Sequence, residues 1–469
     1  MRSLLLVPET IVVGAAVLLL MAGRVGAVRT SIRPYLPGIV VVVVLVALVV
    51  ELWVGATLAT LFGGGFVQDR FSLFAKAAAL LTAGIAIAVT DWSAEDSLPV
   101  GLAMPLLATF GVMVAASAGD FVALWAGLEL GGLAAVVLVG FRRPDLGLRL
   151  LIVGGIASAL LLIGIAYLYA TAGTADLLAA RRTLQGAGAT LALAIPILLL
   201  LGGIALRAGV APFHVAGVPA SLGATPLGAG LVLGLVAAAG LVVALKMAAV
   251  LSPLPELVSP YLQVVAGLAM VGGGLAALAV RAPRARLAYL AVGQAGWVAA
   301  GLATNYRAGL AGSLFLLGAF ALAATCGPAV MGGVEGGEAS LAGMGALRPA
   351  RALGIALTFL SLAGAPPLAG FFGEFAVAAA LAQGGHFGLL ALGGLGSLLS
   401  VAAALGTLRV LYIQSASEEA RRSGAGLPAL TAFSTAGAVA LCVVIAAYGV
   451  FANPIFGLAY QGAEALGLR

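Results

Sequence analysis

The chain is divided into apolar blocks of about 20 residues, the length at which an α-helix crosses the hydrocarbon core of a bilayer. Fourteen such blocks are predicted, near residues 4–22, 36–55, 71–90, 98–117, 119–140, 149–170, 190–213, 228–250, 258–280, 286–303, 308–331, 350–382, 386–412 and 428–452. The blocks lack the apolar–polar alternation of a porin-type strand, so a barrel is not expected. Only 9% of residues are charged and 63% are apolar. An ordinary soluble chain carries about 25% charged residues, so this chain cannot cover a water-facing surface. The 67 glycines suit close helix packing in lipid. A soluble enzyme, a disordered chain and a disulfide scaffold are excluded. The expected fold class is an all-α polytopic membrane protein in one membrane domain, 1–469. Cys326 and Cys442 lie inside apolar blocks and read as small core hydrophobes. No cleavable leader is expected, because the first block carries Glu9 and lacks a small-residue cleavage site.

Of the 23 basic residues only Lys76 and Lys246 are lysine, and the net charge is +6. Loops after odd-numbered blocks hold thirteen arginines: Arg24, Arg29, Arg33, Arg142, Arg143, Arg149, Arg281, Arg284, Arg286, Arg348, Arg351, Arg421 and Arg422. The opposite side, with both termini, holds six: Arg2, Arg70, Arg181, Arg182, Arg307 and Arg469. By the positive-inside rule both termini are expected on the non-cytoplasmic side. The basic excess is therefore a topology signal, and no nucleic-acid partner is expected.

Two blocks are interrupted alike. The seventh carries Arg207-Ala-Gly-Val-Ala-Pro212-Phe-His214. The twelfth carries Gly364-Ala-Pro366-Pro367 and, shortly after, Glu374. Proline removes a backbone donor and clashes with the preceding turn, so both helices are predicted to break. Lipid tolerates such a break only where the freed groups face protein or a wet cavity. The breaks lie five blocks apart, and because five is odd a repeat of helices 4–8 in helices 9–13 must be inverted in the membrane. The expected organisation is peripheral helices 1–3 over 1–97, a first five-helix repeat over 98–251, a second over 258–413 and helix 14 within 414–469.

A charge inside the bilayer needs a reason. Glu129 sits mid-block with no basic residue within a helical turn, so its partner must come from another helix. It is either half of an interhelical ion pair or a buried carboxylate that takes and releases a proton. Arg207 either braces the carbonyls freed at the break or takes part in charge relay, although arginine is a poor proton carrier. Lys246 either titrates or extends to the surface. Glu374 follows the second break, where a carboxylate can face a hydrated path. His214 follows the first, as a pH-sensitive group or a satisfied hydrogen-bonding residue. Lys76, Glu51 and Arg409 lie nearer block ends and read as structural. No metal-ligand spacing, phosphate loop or dinucleotide fingerprint is present, so neither metal nor cofactor is expected in this chain.

Several segments carry a family resemblance. They are Ala211-Pro-Phe-His214 with Gly223-Ala-Thr-Pro226, Arg284-Ala-Arg-Leu-Ala-Tyr289, Phe315-Leu-Leu-Gly-Ala-Phe-Ala-Leu, the surroundings of Glu129, and Ser361-Leu-Ala-Gly-Ala-Pro-Pro-Leu-Ala-Gly-Phe-Phe-Gly-Glu374-Phe. Over roughly residues 65–415 the chain resembles the antiporter-like membrane subunits of respiratory complex I, nearest the bacterial N type. The resemblance implies fourteen helices, the inverted repeat, and two half-channels joined by a central charged row. Position by position it places Glu129 on the fifth-helix glutamate. Arg149 and Arg207 stand at usual lysine positions, Ala237 at the eighth-helix lysine, and Gln294 at a tenth-helix histidine. Glu374 occupies the twelfth-helix site, lysine in typical N subunits and glutamate in the related M type. Ala216 stands where a tryptophan usually follows the seventh-helix histidine.

The resemblance implies a proton-path set of Glu129, Arg149, Arg207, His214, Lys246, Gln294 and Glu374, with helix breaks at Pro212, Pro366 and Pro367. It implies a proton-translocating subunit of NADH:quinone oxidoreductase in a bacterial cell membrane. NADH, flavin, iron–sulfur clusters and quinone are then expected in partner subunits, among them related antiporter-like chains. The alternatives are a subunit of a multi-subunit cation/proton antiporter or membrane-bound hydrogenase, and a scaffold subunit that has lost pumping.

Overall fold

A computed structural model describes residues 2–23, 32–55, 57–93, 97–332, 341–415 and 431–467. Of the arginines behind the expected orientation, Arg24, Arg29, Arg421, Arg422 and Arg469 lie outside the described residues.

The fourteen predicted blocks all appear as helices. They are α1 (Val7–Ala22), α2 (Leu36–Val54), α3 (Arg70–Val89), α4 (Leu98–Ser117), α5 (Phe121–Gly140), α6 (Pro144–Ala172) and α7 (Leu191–Ala208). Then follow α8 (Pro226–Val250), α9 (Pro255–Ala279), α10 (Pro283–Ala303), α11 (Arg307–Met331), α12 in two pieces (Pro349–Leu362 and Ala369–Gln383), α13 (Phe387–Tyr412) and α14 (Ala432–Val450). Among the described residues twelve helices are long and apolar enough to span a membrane. The remaining two are α10, which carries Arg284 and Arg286, and the divided α12. Proline opens α6, α8, α9, α10 and α12, where its missing N–H leaves no bond unmade. Asp69 caps α3 by accepting from Ser72 N, and Asp120 caps α5 by accepting from Ala123 N.

The structure adds three features to the expected organisation. A small antiparallel hairpin, β1 (Ala59–Leu61) and β2 (Phe66–Gln68), joins α2 to α3. Residues Leu231–Val236 of α8 form a π turn, wound wider than the helix around it. Beyond α14 a further helix, α15 (Ala452–Ala465), packs on α3 and α11, so the segment 414–469 holds two helices and not helix 14 alone. The predicted seventh span to residue 213 ends at Ala208. The chain then turns through 209–216 into a short helix, Gly217–Gly223.

Matching helix pairs in the two halves cross at glycines. A Cβ on Gly111 of α4 would lie 2.6 Å from Gly127 O of α5, and one on Gly273 of α9 would lie 2.6 Å from Gly293 N of α10. Backbones meet that closely only where side chains are absent, the packing lipid-embedded helices rely on in place of a hydrophobic drive. The centre of the fold is α11, buried at every residue from Gly309 to Met331. It touches α8 of the first half and α10 and α12 of the second. On one face, Arg181 between α6 and α7 donates to Leu466 O at 2.9 Å and Gly467 O at 2.8 Å, tying that loop to the C-terminal segment.

Candidate proton path at the broken helices

The two breaks are built alike. Gly209 directly follows α7 and Gly364 lies two residues beyond the first piece of α12, both in the left-handed region with φ of 65° and 71°. In each case the next residue donates five positions back, Val210 N to Ala205 O at 3.1 Å and Ala365 N to Leu360 O at 2.9 Å. This closure satisfies carbonyls of the last turn before the prolines divert the chain. The Ala211–Pro212 and Pro366–Pro367 bonds are both cis.

Arg207 occupies the last turn of α7, where the negative end of the helix dipole favours a cation. Its Nη2 pairs with Glu129 Oε1 of α5, the two side chains being 8% and 20% exposed. The sequence requires that the Glu129 partner come from another helix, and Arg207 is that partner. The guanidinium rests on two glycines. A Cβ on Gly132, one turn beyond Glu129, would collide with Nη1, and a Cβ on Gly154 of α6 would lie 2.8 Å from it. Two adjacent helices are thus trimmed to the size of an arginine head group.

Beside the pair is a cavity of about 70 Å³ lined by Arg207, His214, Gly132, Gly154, Ala237 and Phe320 among others. At roughly 10–15 Å³ of occupied volume per water it has room for several. Polar groups face it: Arg207 Nε and His214 Nδ1 are buried with no hydrogen-bond partner. Ala237, at the position where the resemblance expects a lysine, contributes only a methyl group to the wall. His214 also stands edge-on to Tyr289 of α10, with centroids 5.8 Å apart.

The second break has different chemistry. Glu374, in the second piece of α12, is 6% exposed and accepts from Ser397 Oγ of α13 at 2.5 Å. Ser397 Oγ in turn accepts from Trp297 Nε1 of α10 at 3.0 Å. Among the described residues no Lys or Arg lies within ion-pair distance of Glu374. Its carboxyl fills the space that a side chain on Gly364 would take. Gln294 of α10 donates to Ser361 O at 3.0 Å, taking up a carbonyl at the break, while its Oε1 is buried and unpartnered. One half therefore holds its carboxylate with a permanent cation and the other with a neutral hydroxyl.

The remaining predicted residues lie apart from these two centres. Arg149 is exposed on α6 and donates to Val215 O at 2.9 Å, bracing the loop after the first break. Lys246 does not reach the surface. It is 5% exposed and donates to Ala118 O at the end of α4 at 2.5 Å. Arg409 is exposed in the last turn of α13. Cys326 and Cys442 are free and buried. Sequence reading missed Ser397, Trp297, Gly132 and Gly154, because a serine, a tryptophan and two glycines carry no signal of what stands opposite them.

Comparison with known proteins addresses the scaffold. The family described as "NADH:quinone oxidoreductase/Mrp antiporter, TM" matches residues 118–400, more than half of the chain and both breaks. The chain belongs to this family. Its relatives include NADH-quinone oxidoreductase subunit N of Granulibacter bethesdensis, 31% identical over 436 residues, covering 86% of this chain and 87% of the relative. The subunit N of Rhodospirillum rubrum is 31% identical over 445 residues, covering 89% and 90%. The fold of the antiporter family is matched by a chain of respiratory complex I from Thermus thermophilus with bound aureothin, with a TM-score of 0.79 at 24% identity over 97% of this chain and 99% of the other. A chain of the Mrp complex from Dietzia sp. DQ12-45-1b gives 0.80 at 23% identity over 98% and 97%. The stretch matched by the family includes the two broken helices of this chain, with an arginine at the first and a glutamate at the second.

Proposed function

We propose that this chain is the N-type antiporter-like subunit of a bacterial NADH:quinone oxidoreductase. In this reading it moves protons across the membrane when quinone reduction in partner subunits drives it. The observation that carries the reading is that a carboxyl stands at each helix break: the half-buried Glu129 of α5 meets Arg207 at the end of α7, and the buried Glu374 follows the break in α12. A buried carboxyl with an adjustable neighbourhood can change protonation, and the cavity beside Arg207 gives water a place in the first half. NADH, flavin, iron–sulfur clusters and quinone belong to partner subunits. Both termini face the non-cytoplasmic side, the two five-helix groups act as half-channels, and Lys246, His214, Gln294 and Arg149 flank the route.

The Arg207–Glu129 pair favours a second reading for the first half alone. Arginine keeps its proton, so that half can act as a fixed charged brace. Two measurements test the proposal. A mass-spectrometric inventory of the purified assembly should contain NADH-oxidising peripheral subunits; a nickel–iron hydrogenase, or antiporter subunits only, would reassign the chain. In vesicles holding the complete assembly, Glu374→Gln should slow proton pumping. Full pumping with Glu374→Gln and slowed pumping with Glu129→Gln would exchange the roles of the two halves.

A further inference from the structure

Helices α1–α3 lie outside the two five-helix groups, yet they enclose a buried charged cluster. Lys76 of α3 is 0% exposed. Its ammonium lies 2.5 Å from Glu9 Oε1 of α1 and 4.0 Å from Glu51 Oε2 of α2. It also donates to Gln68 Oε1 at 2.7 Å and stands 4.7 Å over the ring of Phe66. Gln68 Nε2 donates to Glu51 Oε1 at 2.9 Å. Phe66 and Gln68 belong to β2, so the hairpin that joins α2 to α3 is also the lid of the cluster.

The charges do not balance. Two carboxylates face one ammonium, Gln68 is neutral, and all four side chains are buried. Glu9 Oε1 meets the Lys76 ammonium at 2.5 Å, while its Oε2 is buried with no hydrogen-bond partner. Among the described residues the charged groups nearest the cluster are engaged elsewhere or add negative charge. Asp69 and Arg70 open α3, with Asp69 engaged as the α3 cap. Lys246, within electrostatic reach of Asp69 and Lys76, donates to the Ala118 carbonyl. Arg307 pairs with Glu464 at 3.2 Å. Asp120 and Asp176 cap helices beside the hairpin and add negative charge. Among the described residues none but Lys76 lies within ion-pair distance of Glu9 or Glu51. An uncompensated carboxylate in such a place pays the full desolvation penalty, and a carboxylate pair sharing a site relieves it by keeping one proton.

We infer that Glu9 and Glu51 together hold one proton opposite Lys76, which makes the α1–α3 cluster a proton-binding site separate from the two helix breaks. Neutrality is then reached inside the cluster: one ammonium, one carboxylate, one carboxylic acid. The ligand is a bare proton and not a metal cation, because the ammonium already fills the point between the two carboxyls. Gln68 sets the geometry, its carbonyl turned to Lys76 and its amide N–H to Glu51.

The test reads the carboxylic-acid carbonyl band by infrared spectroscopy, using the purified full chain in lipid nanodiscs at neutral pH, with no turnover. It is therefore independent of whether the chain pumps. Glu9→Gln and Glu51→Gln keep side-chain volume and leave a balanced pair, so each should remove about one carboxyl group's worth of band area. Gln68→Glu and Lys76→Met each leave one more negative charge to neutralise, so each should add about one. An unchanged band in both glutamine variants would overturn the inference, since both carboxylates would then be ionised in the native chain. Should Lys76→Met fail to fold, Gln68→Glu decides the opposite direction: no increase in band area there equally overturns it.

Discussion

Arg207 Nη2 closes on Glu129 Oε1 across 78 residues of sequence, and Gly132, one turn along from Glu129, leaves the gap that the guanidinium fills. The consequence is a carboxylate whose counter-charge cannot be switched off by deprotonation. Moving a proton through Glu129 then requires that the pair separate or that the proton pass beside it.

Glu129→Gln keeps the volume of the side chain but leaves the Arg207 cation unpaired in a buried place. Breaking one partner of a fully buried pair costs about 3–5 kcal/mol in soluble proteins; this pair is 8% and 20% exposed, so the variant should lose less than that in stability, together with activity. The expected outcome is a severalfold or greater fall in proton pumping and in coupled quinone reduction, measured together in vesicles. Normal pumping in an intact assembly would remove Glu129 from the path.

Arg207→Lys should retain turnover or raise it, because a lysine can give up its proton when desolvated while an arginine cannot. Arg207→Ala should fall well below Arg207→Lys. Equal near-native turnover in both would mean that neither the charge nor the support of the break matters at this position.

Gly132→Ala should be destabilising by about 1–3 kcal/mol, the usual range for overpacking, because the added methyl collides with Nη1 of Arg207. In an Arg207→Lys background the same methyl meets a narrower head group, and the penalty should shrink. A double-mutant cycle on unfolding temperature checks this, and strictly additive effects would refute the contact.

Glu374→Gln should slow proton transfer while the assembly purifies intact, since no ion pair is lost. Ser397→Ala removes the hydroxyl that donates to Oε2, and should alter the pH profile of pumping with a smaller effect on its maximal rate. An unchanged profile with Ser397→Ala would leave Glu374 coupled to some other group.

Much of the scaffold was legible in the sequence because lipid imposes one length and one composition on every spanning helix. The breaks were legible because proline has a single consequence in a helix interior. The partners were not. Glu129 could be read as needing a cation from another helix, but nothing local says which of the cations inside the blocks, Lys76, Arg207, Lys246 or Arg409, stands opposite it. The surface alternative for Lys246 rests on its place near the end of its block, whereas the end of α4 supplies a carbonyl that lets it stay buried. Glu9 entered the reading only as a mark against a leader segment, since its relation to Lys76 exists only once α1 and α3 are packed. The hairpin of 59–68 is too short for period-two alternation to show, and α15 followed the last apolar block where no further span was due.

The buried course of α11 bears on how this chain can vary over generations. A helix such as α6, with only 22% of its span buried inside the chain, can exchange one aliphatic residue for another almost freely where that surface meets lipid, since hydrocarbon has no shape to match. Residues Gly309 to Met331 have no such freedom, because all are buried against protein: α8 of the first half, α10 and α12 of the second, and α3 and α15 besides. A change accepted by α8 must also suit α10 and α12, so drift in the two halves is tied together through this one helix. Random mutagenesis should therefore leave α11 the most intolerant of the long helices, and second-site changes that rescue a lesion there should fall in both halves.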